Sequence, residues 1–240
     1  MPSVLNIPKI LLNPIISMLP PKYKSINLDI HRSDPMFRYP LQVHGPDTTK
    51  VLLEYFTTGL HAAELIEKHK PKAKRVLDFG AGFGRVGRFL FHVFPDAQIL
   101  VSDPKKSALK YQTERLGAIA DDEKIVDLIF AGSVFTHLPK SIFKKTLHGL
   151  MNRLEKGGLL ILTMHQFVDQ EFLFYSYTEE SAMSHLEDAL DDSNYGSVYC
   201  SKDFFEYCLY SHSRGSRFKY KIDDSSSFGG TQQYLIIEPM

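Results

Sequence analysis

The run Val76-Leu77-Asp78-Phe79-Gly80-Ala81-Gly82-Phe83-Gly84 decides how this chain is read. Residues 75–79 form a short apolar stretch of strand length, and three alternate glycines follow it at once. Glycines 80, 82 and 84 permit a tight turn and let a ligand approach the backbone closely, because no Cβ stands in the way. A helix is expected over residues 85–94, with Pro95-Asp96 ending it. A second strand over 98–102 then delivers Asp103 at its end, where a carboxylate accepts hydrogen bonds from both hydroxyls of a ribose. The other reading of Asp103 is a helix cap, with Pro104 opening the next turn.

Working outward, short apolar runs keep alternating with helical patterns, the mark of βαβ units feeding a parallel sheet. A helix is expected over 107–116, a buried strand over 125–131, a helix over 140–154, and a strand over 159–164 entered through a Gly157-Gly158 turn. Ser201 is a plausible N-cap for a helix over 202–210, and residues 217–222 and 233–238 read as two terminal strands joined by a Ser- and Gly-rich loop. Residues 48–69 carry apolar positions at helical spacing as one or two helices, with Gly59 bending or dividing them. The proline-rich stretch 1–47 is expected to be irregular with at most short helical turns, and 166–199 to be an excursion holding a helix over 179–190.

The fold class that follows is α/β, a doubly wound, mostly parallel seven-stranded sheet with helices on both faces and an antiparallel C-terminal strand. Its third-strand region is compressed, since few residues separate the second helical unit from Asp127; residues 116–120 are expected to give a short edge strand. The expected organisation is one domain over 1–240: a cap or wrapping extension (1–70), a ligand-binding core (71–165), a lid or acceptor-site excursion (166–200) and a segment completing the sheet (201–240).

Two ligand readings compete for the glycine loop. Gly82, Gly84 and Gly87 satisfy the Gly-x-Gly-x-x-Gly spacing of dinucleotide sites, which would make the chain a nicotinamide-dependent oxidoreductase. The pattern Asp78-x-Gly80-x-Gly82-x-Gly84 takes in more of the sequence, and an acid at position 78 repels a pyrophosphate while suiting a cationic amino group. The oxidoreductase reading also lacks a Tyr-x-x-x-Lys pair. A third possibility is a binding scaffold that retains the loop without chemistry.

On these residues the chain resembles the class I, Rossmann-like S-adenosylmethionine-dependent methyltransferases, well over residues 70–165 and weakly over the last 25. The resemblance implies that Asp78, Gly80, Ala81, Gly82 and Gly84 surround the methionine portion of S-adenosylmethionine and that Asp103 holds its ribose. It implies that the segment 127–139, with Ser133 and Val134, lies beside the cofactor and opens toward the acceptor, and that Leu154-Glu155-Lys156-Gly157-Gly158 is the usual turn into the fifth strand. Asp121 or Asp122 is a candidate for adenine, against the alternative of a solvated acidic turn. The implied activity is methyl transfer to oxygen or nitrogen of an acceptor, a small molecule by preference, with protein acceptors left open.

Two histidines are candidates for work on the acceptor. His165 follows the fifth strand and is placed to take a proton; His137 follows the fourth and is placed to orient the acceptor. Asp169 and Glu171 are weaker acid–base candidates, Phe167, Tyr175 and Tyr177 are candidates for an acceptor wall, and Tyr39 and His44 for a closing leader. Lys plus Arg equals Asp plus Glu at 28 each, which gives no bulk electrostatic pull toward nucleic acid or an anionic membrane. Residues before Val76 hold eleven Lys/Arg against six Asp/Glu, so any basic attraction is local. Cys200 and Cys208 have neither disulfide-scaffold nor metal-knuckle spacing, no metal is expected, and the absence of a long apolar run points to a cytoplasmic location without integral membrane association.

Overall fold

The structure is a computed structural model, and it describes residues 4–43, 47–176, 196–211 and 218–240. Its centre is a seven-stranded sheet in the order β3-β2-β1-β4-β5-β9-β8. Strands β1 (Arg75–Phe79), β2 (Gln98–Ser102), β3 (Ile119–Ala120), β4 (Val126–Ala131) and β5 (Leu154–His165) run parallel, each to its neighbours among them. β9 (Gln232–Pro239) lies antiparallel to both β5 and β8 (Phe218–Phe228). The expected sheet is therefore the observed one. Strands β1 and β2 match the sequence reading residue for residue, and β3 shrinks to two residues at the edge.

Alternation along the strands shows why helices cover both faces. Val76, Ile99, Leu128, Phe130 and Ile161 point into one core with helices α3 (Thr48–His69) and α4 (Gly87–Val93). Their alternates Leu77, Leu100, Ile129, Ala131 and Leu162 point into the other, with α6 (Lys140–Met151) and α7 (Lys202–Tyr210). Between β2 and β3 runs α5 (Lys106–Tyr111), which continues as a π turn over Gln112–Leu116. Buried Asp127 fixes the start of β1 by accepting the N–H groups of Lys74 (2.6 Å) and Arg75 (3.0 Å). The chain winds outward from β1 in one direction and resumes at β4 on its other side. A crevice opens there, at the C-terminal ends of these two strands.

Four expectations are corrected. The leader contains two true helices, α1 (Lys9–Met18) and α2 (Pro35–Val43), despite Pro14 and Pro40 inside them. Burial of Ile15 and Phe37 against the core outweighs the lost backbone hydrogen bonds. Gly59 neither bends nor divides α3, which runs unbroken for 22 residues; it is there for close approach, since a Cβ on it would stand 2.1 Å from the carbonyl oxygen of Arg85. Gly157, at φ 78°, sits in a bulge inside β5, so the strand begins at Leu154 rather than after the glycines. The Ser-rich stretch belongs to β8, and only Gly229, Gly230 and Thr231 separate it from β9.

Asp223 anchors that extended strand, accepting from Lys68 Nζ (2.8 Å) and the backbone N–H of Ser225 (2.9 Å) and pairing with His69 Nε2 (2.5 Å). The excursion yields a ribbon of β6 (Phe172–Ser176) against β7 (Gly196–Cys200), which the sequence reading did not anticipate. The helix expected over 179–190, Tyr177 and His44 lie outside the described residues. Ser201 caps α7 as expected, its Oγ accepting the N–H of Phe204 at 3.1 Å.

Candidate active site

A cavity of about 430 Å³ occupies the crevice, within the range of small-molecule sites. Its floor is the glycine loop. The N–H groups of Gly80 and Ala81 donate to the carbonyl of Ser102 (2.7 and 3.2 Å), which folds the loop back over the end of β2. Gly80 needs to be glycine twice over: its φ is 69°, and a Cβ would stand 2.4 Å from Val134 Cγ2.

Asp103 is held by backbone on both oxygens, Oδ2 by the N–H of Gly82 and Oδ1 by that of Lys105, each at 2.8 Å. These bonds fix the carboxylate plane and leave lone pairs for two further donors. Burial raises its pKa above the ordinary carboxylate value, and the two N–H donors and Lys105 oppose the rise. The helix-cap reading is not what forms: the N-cap of α5 is Lys105 without a side-chain cap, and Asp103 Oδ1 closes a two-residue turn onto the Lys105 N–H instead.

Asp78 is buried, and its Oδ2 has no hydrogen-bond partner among the described residues. Desolvation, with the charge of Asp103 adding to it and Arg85 opposing, pushes its pKa up to about 7. Gln112 Oε1 is a second buried acceptor without a partner, while Gln112 Nε2 donates to the carbonyl of Gly82 at 2.9 Å. Both unpaired oxygens face Gly87: a Cβ there would stand 2.9 Å from Gln112 Oε1 and 3.2 Å from Asp78 Oδ2. Acceptor oxygens at the start of α4 oppose a pyrophosphate in the position that the Gly82-Gly84-Gly87 spacing suggested.

The opposite wall is the turn after β4. Ser133 adopts a left-handed backbone, φ 62°, which a non-glycine residue holds only under constraint. That constraint is a closed set of hydrogen bonds. Ser133 N–H donates to Thr163 Oγ1 (2.7 Å), Thr163 Oγ1 donates to Gln232 Oε1 (2.6 Å), and Gln232 Nε2 donates to Ser133 Oγ (2.6 Å). Ser133 and Val134 line the cavity; Thr163 and Gln232 act through them. The sequence reading missed both, because a Thr inside an apolar strand and a Gln at a strand start carry no motif.

His137 and His165 part company. His137 lines the cavity, and its Nδ1 meets the carbonyl of Gly196 at 2.8 Å. Burial, with the nearby His165 adding to it, lowers its pKa to about 4, so it is neutral near pH 7 with Nδ1 as the donor and Nε2 as the acceptor nitrogen. His165 lies outside the cavity lining; its Nδ1 meets the carbonyl of Val198 at 2.8 Å and its ring stacks on Tyr199 at 4.3 Å. Both histidines pin the β6–β7 ribbon.

Other candidates also fall outside the cavity. Asp121 gives both carboxylate oxygens to Arg153 (2.6 and 2.7 Å), and Asp122 pairs with Arg75 at 2.6 Å. Glu171 pairs with Lys140 on the surface, Asp169 is exposed, Phe167 packs on Phe205, and Tyr175 is exposed beside Tyr199. Tyr39 of the leader is half-buried and does not line the cavity, whereas Asp34, Pro35 and Met36, which the sequence reading passed over, do.

Arg85 and Arg88 were missed as well. Arg88 is 2 % exposed and bonds the carbonyls of Gly84, Asn27 and Asp29 (each 2.8 Å) and Phe83 (3.3 Å), together with the hydroxyl of Tyr55 (3.2 Å). Tyr55 in turn donates to buried Asp34 at 2.7 Å. One guanidinium thus ties the leader, α3 and the glycine loop together. No group of metal-ligating side chains occurs among the described residues, and no helix among them is long and apolar enough to cross a membrane.

Neither a protein-family model nor a curated protein matches this sequence. Solved structures do match. DhpI in complex with S-adenosylhomocysteine superposes with a TM-score of 0.52 at 13% identity, over 86% of this chain and 95% of that one. DesVI from Streptomyces venezuelae gives 0.53 at 14% identity over 84% and 97%. The 1,6-didemethyltoxoflavin-N1-methyltransferase of Burkholderia thailandensis, with bound 1,6-didemethyltoxoflavin and S-adenosylhomocysteine, gives 0.54 at 13% over 85% and 87%. The fold is that of the class I methyltransferases. At these identities the likeness speaks for the fold.

Proposed function

We propose that this protein is an S-adenosylmethionine-dependent methyltransferase acting on oxygen or nitrogen of a small molecule. The observation that carries the proposal is the backbone-clamped Asp103 carboxylate at the end of β2, facing a glycine loop whose other side holds the unpaired Asp78. A carboxylate held in this way is preorganised for vicinal ribose hydroxyls, and an unpaired buried carboxylate suits an ammonium group. The solved structures bound to S-adenosylhomocysteine support the same cofactor. When bound, S-adenosylmethionine would supply an electrophilic sulfonium methyl group, with Asp103 holding its ribose and Asp78 its amino group.

The chain's own part is alignment. Ser133 and Val134, held by Thr163 and Gln232, shape one wall, and neutral His137, anchored to the carbonyl of Gly196, lines it. A base with pKa about 4 keeps a proton poorly at neutral pH, so His137 orients an acceptor rather than deprotonating it. His165, behind the ribbon, has a positioning role on β7. The experiment is calorimetric titration with S-adenosylmethionine and S-adenosylhomocysteine, with NADH as competitor and Asp103→Ala as control. Binding of the two sulfur compounds, weakened by the substitution, supports the assignment. Selective NADH binding, or no binding, overturns it.

A further inference from the structure

A second cavity, about 600 Å³, lies beside the first, walled by α2, α3 and the Gly229-Gly230 turn between β8 and β9. Arg85 and Met36 line both cavities, so the two adjoin at those side chains. The second is the more polar in character, with Thr57, Thr58, His61 and Ser227 on its walls.

Arg85 stands at the junction of the two cavities, over Phe228, which lines the first. Gly59 lets α3 reach the Arg85 backbone directly, and the guanidinium lies over the ring of Phe228, 4.9 Å from its centroid. Phe228 is itself held edge-on by Phe130 and Tyr234. Arg85 is half-buried, and among the described residues its guanidinium donates no hydrogen bond and pairs with no carboxylate within 4 Å. The acids whose charges it feels are occupied or near neutrality. Asp34 accepts from Tyr55 and from the N–H of Met36 (2.9 Å), and Asp78 has its pKa near 7. The guanidinium is thus partly desolvated and leaves its donors to solvent and to whatever enters the cavities.

We propose that the second cavity is the acceptor subsite and that Arg85 pairs a carboxylate group of the acceptor there, turning the methyl-accepting atom toward the first cavity. This rests on the methyltransferase reading above. A single planar fork with no lysine or second arginine among the lining residues matches a carboxylate, which it holds bidentately, better than a phosphate. Glu54, the one acid on the wall, is exposed and lies 3.9 Å from Lys50.

The same chemistry has a second source, the methionine carboxylate of the cofactor, and the test separates them. Wild-type protein saturated with S-adenosylhomocysteine is titrated to about 20 mM, a range that reports millimolar binding, with acetate, benzoate and phenylacetate and with their matched amides, following the Arg85 Nε–Hε resonance by NMR. The expected result is a saturable shift with at least one carboxylate and none with its amide. Followed on the backbone amides of Gly229 and Gly230, which line the same cavity, Arg85→Gln abolishes that binding, and His61→Glu, on an exposed wall residue that leaves the core intact, weakens it about tenfold, as a like charge facing the ligand requires. In His61→Glu the affinity for S-adenosylhomocysteine stays within about threefold of wild type.

No carboxylate shift, or equal shifts with the amides, overturns the proposal. So does a loss of S-adenosylhomocysteine affinity of about tenfold or more in Arg85→Gln with its melting temperature unchanged, because the carboxylate is then the cofactor's. Failure of the wild type to bind S-adenosylhomocysteine at all overturns the methyltransferase reading, and with it the acceptor role, while the carboxylate titration still reports separately whether the cavity is an anion site.

Discussion

Replacing Arg88 by methionine removes a guanidinium from the place where leader, α3 and glycine loop meet. The consequence can be worked from the partners left behind. Asp29 keeps one donor, because Tyr111 Oη also bonds its carbonyl at 2.9 Å, and the carbonyl of Gly84 still accepts the N–H of residue 88. The carbonyls of Asn27 and Phe83 lose the donor that Arg88 supplied. A buried acceptor left unpaired costs about 1–3 kcal/mol, and loss of the cation held over Tyr55 and Phe56, 5.4 Å from each, adds about 1 kcal/mol.

Relief of the guanidinium's own desolvation offsets part of this, so the expected net loss is about 3 kcal/mol. For a chain of 240 residues that corresponds to a fall in melting temperature of roughly 6–12 °C. The chain has no tryptophan, so urea and thermal unfolding are best followed by far-UV circular dichroism. Hydrogen exchange adds the local readout, with faster exchange expected first at the Leu5 amide, bonded to Ile30 at 2.9 Å. Arg88→Lys, which keeps the charge but not the fork, should fall between the two. A loss under about 1 kcal/mol in Arg88→Met, with unchanged exchange at Leu5, would refute the idea that this side chain is the clamp.

Further predictions follow from other buried groups. Asp78 releases its proton near pH 3.9 when unfolded and near 7 when folded, so between these values the folded state holds more protons. Its contribution to stability therefore falls as pH rises through that window and is level above it. Asp78→Asn should remove about 3 kcal/mol of that fall between pH 5 and pH 8, read as the difference between wild-type and variant stabilities from urea unfolding at the two pH values; a constant difference would contradict it. Gly59→Ala should destabilise by about 1–3 kcal/mol despite the better helix propensity of alanine, because the Cβ meets the Arg85 carbonyl at 2.1 Å, and a stabilised variant in a thermal melt would contradict that packing. Gln232→Ala should release Ser133 from its left-handed backbone at a cost of about 1–2 kcal/mol and weaken S-adenosylhomocysteine binding by calorimetry, whereas unchanged affinity would remove Gln232 from the positioning of the wall.

What the sequence made legible was local, and what it hid was long-range. β1, β2 and the glycine loop are encoded by contiguous residues, and an apolar run ending in Asp78-Phe79-Gly80 has few other conformations open to it. Ser201 declared the start of α7 for the same reason, since an N-cap acts over three residues. The leader helices were hidden because their local signal is poor and their stability comes from burying Ile15 and Phe37 on α3, a partner met only after folding. Arg88 reads in the sequence as one basic residue in a helix; its meaning lies in Asn27 and Asp29, some sixty positions earlier.

The same division runs through the site and bears on what it does. The residues that face the proposed cofactor sit in the sheet-end turns and could be read in order along the chain: Asp78, Gly80, Gly82, Asp103, Ser133 and Val134. Those that would face an acceptor come from the leader, from α3 and from the β8–β9 turn, and only packing gathers them around Arg85. A cofactor shared by many enzymes demands one local geometry, whereas an acceptor demands a wall that differs from one enzyme to the next. If Arg85 answers to a carboxylate, the identity of the acceptor is written in the elements added to the common fold, and substitutions along the exposed face of α3, beginning with His61, should change acceptor preference while leaving cofactor affinity alone.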